Sequence, residues 1–282
     1  MTLTLTTILL IFSGSILAGL IGSLLGLGGG ILIVPMLSLA FGLPIQYAIG
    51  ASVIAIIATS SGSAAAYVRD RLSNIRVGMF LETATVSGAI VGALLTTIVA
   101  PQLLYIIFGI VLLISLLPIL VKLGEELPQN VKNDRLATTL SLASSYPDKR
   151  LGKEVAYEVT NTGWGFLVMC IAGCLSGLLG IGSGVFKVLA MDTIMRIPMK
   201  VSTTTSNFMI GVTGAASASI YFARGDVHPL IAAPVALGIL AGSFVGARIL
   251  PLMKNTTLRK IFIPVLSLIA LQMVLHGFGI SW

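Results

Sequence analysis

Ten apolar runs follow one another along the chain, and eight of them are helix-length stretches of about 16 to 24 residues with scarcely a charge inside. They are Thr6–Leu25, Gln46–Tyr67, Val77–Ala100, Leu103–Val121, Trp164–Leu179, Val201–Phe222, Pro229–Leu250 and Leu258–Leu275. Runs of that length match a hydrocarbon core of roughly 30 Å, whereas an outer-membrane barrel needs segments of about ten alternating residues. Charged residues make up only 10% of the 282, too few to coat a water-facing surface. The fold class expected is an all-α polytopic membrane protein lying in a lipid bilayer. The net charge of +7 does not indicate nucleic acid, because the basic residues fall in loops between apolar runs, where they report topology.

The two remaining runs, Ile31–Ala40 and Val185–Met195, are too short to cross. Each follows a glycine-rich junction, Gly26-Leu27-Gly28-Gly29-Gly30 and Gly180-Ile181-Gly182-Ser183-Gly184. A shift of 154 residues lays one junction on the other, and with it Pro44 on Pro198, Ser52 on Ser206, Thr59 on Thr213, Ser63 on Ser217 and Tyr67 on Tyr221. The chain therefore reads as a duplication, five segments plus five, with eight long transmembrane helices and two short half-membrane or re-entrant ones. Residues 1–121 form the first repeat, 122–163 a polar linker with one surface helix near Asp134–Ser144, and 164–282 the second repeat.

Charge gives the orientation. Arg69, Arg71 and Arg76, the six basic residues of the linker, Arg196 and Lys200, and Lys254, Arg259 and Lys260 all lie in odd-numbered loops, leaving Arg224 alone on the other side. The positive-inside rule then places the linker in the cytoplasm and both termini outside, in the plasma membrane of a prokaryote (the inner membrane if the cell is Gram-negative). Equivalent loops differ in charge between the halves, so the repeats are expected to be inverted. A homodimer is left open.

Glycine can adopt positive φ and admit close backbone approach, so each junction can end one helix and begin another. Two short helices starting at a shared point would aim unpaired N–H groups and positive dipole ends at a small anion. Gly28, Gly29 and Gly30 with Gly182, Ser183 and Gly184 are the candidate binding residues. Lys187, one turn into the second short run, is costly inside a bilayer unless an anion or an acid answers it. Ser52, Ser206 and Asn207 could add hydroxyl and amide donors. Glu82 and Asp192 are the intramembrane acids and the candidate proton carriers, although Asp192 is also spaced to pair with Arg196. Tyr67, Tyr221, Trp164 and Trp282 are expected as interfacial anchors, and Cys170 and Cys174 as buried thiols. No metal-ligand spacing, cofactor motif, nucleotide loop or catalytic signature is present, and an enzyme is not expected.

The stretch Gly26–Leu37, GLGGGILIVPML, the second GIGSG at Gly180–Gly184, and the paired Ser52 and Ser206 resemble the sulfite exporter TauE/SafE family of membrane permeases. The likeness runs from the first segment to the tenth. It implies a secondary transporter of small sulfur-containing anions such as sulfite, sulfoacetate or other organosulfonates, or thiosulfate, with protons as a candidate coupling ion. An uncoupled anion channel, or a carrier of a different small anion, is the alternative.

Overall fold

The computed structural model describes residues 4–96, 98–121, 127–129, 131–148, 151–180 and 182–279. Ile181 of the second junction and Trp282 lie outside them. Helices α1 (Leu5–Leu25), α2 (Gly30–Pro35), α3 (Ile45–Arg69), α4 (Ile75–Leu95) and α5 (Pro101–Val121) make up the first half. After α6 (Arg135–Thr139) and strands β1 (Ser144–Asp148) and β2 (Lys153–Tyr157) come α7 (Thr162–Leu179), α8 (Gly184–Leu189), α9 (Met199–Ala223), α10 (Pro229–Ile249) and α11 (Asn255–Gly277). The bounds of α2, α3 and α4 fall on those of α8, α9 and α10 at the same offset of 154 residues. Both short helices continue into a widened turn, Met36–Ala40 and Ala190–Ile194.

Among the described residues, five helices are long and apolar enough to cross a membrane: Leu5–Leu25, Ile45–Arg69, Ile75–Leu95, Thr162–Leu179 and Pro229–Leu252. The 25-residue α9 is as long as α3 but less apolar. Its first turns carry Lys200, Ser202 to Ser206 and Asn207, every one of them buried. That polar face is turned into the protein rather than toward lipid.

Local chemistry sets the helix ends. Thr4 caps α1 by accepting from the Thr7 N–H, and Asn74 caps α4 by accepting from Val77. Pro44 and Pro198 precede α3 and α9, and Pro229 opens α10, where a missing N–H costs nothing. Packing is crossed between the halves: α1 lies on α10, α4 on α7, α5 on α11, and α3 meets α9 at the centre. Small residues make the closest seams, as is usual where lipid removes the hydrophobic drive between helices. A Cβ on Gly92 would collide with the Cys174 carbonyl, and one on Gly177 with the Ala89 carbonyl.

The linker corrects the all-α expectation. Its helix is five residues long, and the serine-rich stretch is β1, paired antiparallel to β2 with Ser144 opposite Tyr157 and Asp148 opposite Lys153. Tyr146, Val155 and Tyr157 suit a half-buried strand, and Gly152, at φ 63°, closes the return. The linker is fastened to the helices. Asn74 Nδ2 donates to the Leu142 carbonyl and the Tyr157 hydroxyl, each at 2.8 Å. Lys200 Nζ meets both oxygens of Asp148 at 3.0 and 3.1 Å. Burial pushes the Tyr157 hydroxyl up to about 12, against the hydrogen bonds from Asn74 and Ser144. Asp134 caps α6 and accepts from the Thr162 N–H at 2.6 Å, joining the linker to the start of α7.

Candidate functional site

Each junction turns the chain through left-handed backbone: Gly26, Gly28 and Gly29 at φ 72°, 82° and 68°, and Gly180, Gly182 and Ser183 at φ 65°, 71° and 52°. Ser183 holds, with a side chain, a conformation that glycine holds in the first half. The two junctions meet. A Cβ on Gly30 would lie 3.3 Å from the Gly180 carbonyl oxygen, and one on Gly184 would strike the Gly26 carbonyl and Leu27. Each short helix thus begins against the end of the other half's long helix.

The flanking hydroxyls tie this crossing together. Ser52 Oγ donates to the Gly180 carbonyl at 2.5 Å, and its counterpart Ser206 Oγ donates to the Gly26 carbonyl at 2.7 Å. Tyr67 and Tyr221 do the same one turn back, donating to the Ser23 carbonyl at 3.2 Å and the Gly177 carbonyl at 2.5 Å. The tyrosines are therefore buried latches between helices and not interfacial anchors; an OH at the end of a rigid ring reaches an unpaired carbonyl near a helix terminus. Ser52 and Ser206 differ from expectation too, because their hydroxyl protons are engaged by the backbone. Thr59 Oγ1 adds a bond to the Gly28 carbonyl at 2.8 Å.

Between the junctions sit Ile56 and Ile210, themselves a matched pair, both buried. A Cβ on Gly28 would be 2.6 Å from Ile210 Cδ1 and 3.0 Å from Ile56 Cγ2, and one on Gly182 3.0 Å from Ile56 Cδ1. The crossing is closed by apolar side chains. Open space lies on the linker side. A cavity of about 570 Å³ runs beside β2, reaching Arg196 and Pro198, and one of about 410 Å³ is bordered by Arg71, Ser73, Asn74, Arg76 and Tyr157.

Lys187 is wholly buried, and its Nζ lies 3.1 Å from Glu82 Oε2 on α4. The same Nζ contacts Thr213 Oγ1, which in turn donates to Glu82 Oε1 at 2.5 Å, while Thr85 Oγ1 donates to Oε2 at 2.9 Å. Two residues that stand out singly in the sequence, one as an anion ligand and one as a proton carrier, form one ion pair. An ammonium and a carboxylate hydrogen-bonded together present almost no net charge to lipid, which is how both can be held there. Neither Thr213 nor Thr85 is among the sequence candidates. The matched Thr59 and Thr213 are the signal for the first; nothing in the pattern points to the second.

Asp192 is buried in the widened turn after α8. Asn207 is buried on α9, but its amide N–H groups go to the Ser23 carbonyl at 2.8 Å and the Thr203 carbonyl at 3.2 Å. It has no donor left for an anion. Trp164 is 66% exposed, as an interfacial residue should be. Cys170 is exposed and Cys174 half-buried, correcting the expectation of core thiols. Both lie on α7, whose small inner face of Gly173 and Gly177 takes the contact with α4 and turns bulkier residues outward.

A family model described as "Sulfite exporter TauE/SafE" matches residues 11–273. The chain is 29% identical over 269 residues to a "Probable membrane transporter protein YunE" of Bacillus subtilis, covering 93% of this chain and 95% of that protein. It is 25% identical over 244 residues to a "Probable membrane transporter protein YdhB" of the same organism, covering 86% and 91%. No solved structure matches it significantly.

Proposed function

The chain belongs to the sulfite exporter TauE/SafE family, and from that premise we propose that this membrane transporter carries a small sulfur-containing anion, such as sulfite, sulfoacetate or another organosulfonate, or thiosulfate. It works by alternating access around the crossing of the two junctions. The observation that carries this reading is the meeting of Gly26–Gly30 with the second junction beside a wholly buried Lys187.

In this reading the halves are inverted, all eight long helices span the bilayer, and the short helices meet near its midplane. The linker faces the cytoplasm and both termini lie outside. Sulfur oxyanions are compact acceptors of several hydrogen bonds. First-turn N–H groups of the two short helices suit them, apart from that of Gly30, which donates to the Gly28 carbonyl at 2.7 Å, and the Lys187 ammonium is a point charge of opposite sign. Gly28, Gly29, Gly182 and Ser183 shape the backbone around the anion. Ser52, Ser206 and Asn207 support the walls of the site and do not form its donor shell. For the anion to reach Lys187, the Glu82 carboxylate must give way. Protonating Glu82 would release the ammonium, which makes Glu82, ahead of Asp192, the acid through which a pH gradient acts. The apolar closure at Ile56 and Ile210 favours a carrier over an open channel.

Flux of radiolabelled sulfite, sulfoacetate and thiosulfate into proteoliposomes tests the reading. Saturable uptake of at least one, lost in Lys187→Met, is expected. A folded, reconstituted protein that moves none of them would overturn it.

A further inference from the structure

Two fully buried side chains on α9 keep oxygens without a hydrogen-bond partner: Thr203 Oγ1 and, one turn on, Asn207 Oδ1. The Asn207 amide cannot be turned end for end. Both neighbours of its nitrogen are carbonyl oxygens, at 2.8 and 3.2 Å, and reversal would set oxygen against oxygen. The side chain therefore shows an acceptor alone, which repels an anion and calls for a donor or a cation.

The surroundings point the same way. Ser206, beside Asn207, bonds the Gly26 carbonyl at 2.7 Å, and a Cβ on Gly26 would lie 2.8 Å from the Thr203 carbonyl oxygen. Thr203 and Asn207 thus sit against the C-terminal end of α1, where the carbonyl dipoles converge with negative sign. Interrupted helices in transporters use that end, with unwound carbonyls, to hold a coupling cation. Two buried cations, Lys200, three residues before Thr203, and Lys187, are each paired, with Asp148 and with Glu82. Ile49 and Val53 hold the matching first-half positions, so the oxygen pair belongs to one junction and is no by-product of the duplication.

We propose that Thr203, Asn207 and the carbonyl end of α1 bind a sodium ion. Neutral oxygens suit a monovalent ion; a divalent one draws on carboxylates, and no group of three or more acidic, histidine or cysteine residues able to hold a metal occurs among the described residues. That the ion travels with the anion rests on the transporter reading above; that it binds does not. A cation beside the crossing would offset the charge of an anion held there.

Thermal unfolding of the full chain in detergent, in sodium, potassium or choline chloride at equal ionic strength, tests the site. Sodium should raise Tm by several degrees, saturably. Thr203→Val, nearly the same shape without the hydroxyl, should keep the choline Tm and weaken the sodium effect at least tenfold, while Thr203→Ser restores it. Equal Tm in all three salts would overturn the proposal and leave the two oxygens to water. Flux separates the readings: anion uptake indifferent to a sodium gradient and a protein indifferent to sodium sink the site alone. Sodium stabilisation without flux of any anion keeps the site and sinks the transport reading.

Discussion

Lys187 and Glu82 sit 105 residues apart in sequence and 3.1 Å apart in space, and each makes the other tolerable. Removing one partner of a buried pair leaves an uncompensated charge and costs about 3–5 kcal/mol, whereas replacing both with apolar or neutral groups is often neutral. Lys187→Met and Glu82→Gln should therefore each lower Tm clearly, and the double variant should recover most of the loss without recovering transport. Additive losses in the double variant would show that the two do not act as a pair. From the sequence, each residue is visible as an anomaly among apolar neighbours. Their partnership is not, because spacing along a helix reports only contacts three or four residues away. The same limit hides the roles of Ser52 and Ser206. The register of the repeat marks them, but only the crossing of the halves shows that each bonds the other half's junction.

Among the elements, the long helices are legible because apolar length alone defines them, and the short ones because glycine and proline punctuate them. The linker is the poorly legible element. Its strands are five residues each, below the length at which periodicity speaks, and tertiary contacts with Asn74 and Lys200 hold them. Asp134 is its hinge pin. Burial opposes ionisation there, but the N–H groups of Ala137 and Thr162 and the Thr162 hydroxyl outweigh it and hold the carboxyl below its ordinary 3.8. A depressed acid contributes stability that is present above that ordinary value and lost as pH falls through the lower, folded one. The linker should resist proteolysis at neutral pH and down to about pH 4, then become labile in stronger acid. Asp134→Ala should be labile at neutral pH, the cap being worth about 1 kcal/mol. Cleavage independent of both the substitution and pH would remove Asp134 from this role.

Across the whole molecule, pairing α1 with α10 and α4 with α7 means that neither half is a body on its own. The halves share the crossing, and Ile56 and Ile210 close it. In an alternating carrier, a closure made of two side chains should be weakened by cutting both back. Ile56→Ala with Ile210→Ala should give proteoliposomes an anion leak at least several-fold above the single variants, with the fold retained despite a cost of roughly 2–5 kcal/mol for each truncation. Liposomes as tight as those with the native chain would place the barrier elsewhere.

Read along the chain alone, the residues mark a membrane-embedded helical protein, junction residues that recur at an offset of 154, and the points where each helix is interrupted. These follow from apolar length, glycine and proline, which act within a few residues of themselves. Packing in three dimensions sets Lys187 against Glu82, latches one half to the other through the paired tyrosines and serines, and leaves Asn207 showing oxygen and not nitrogen to its surroundings. Those outcomes depend on which helix faces which, a choice made by close packing between segments more than a hundred residues apart, and no local pattern carries it.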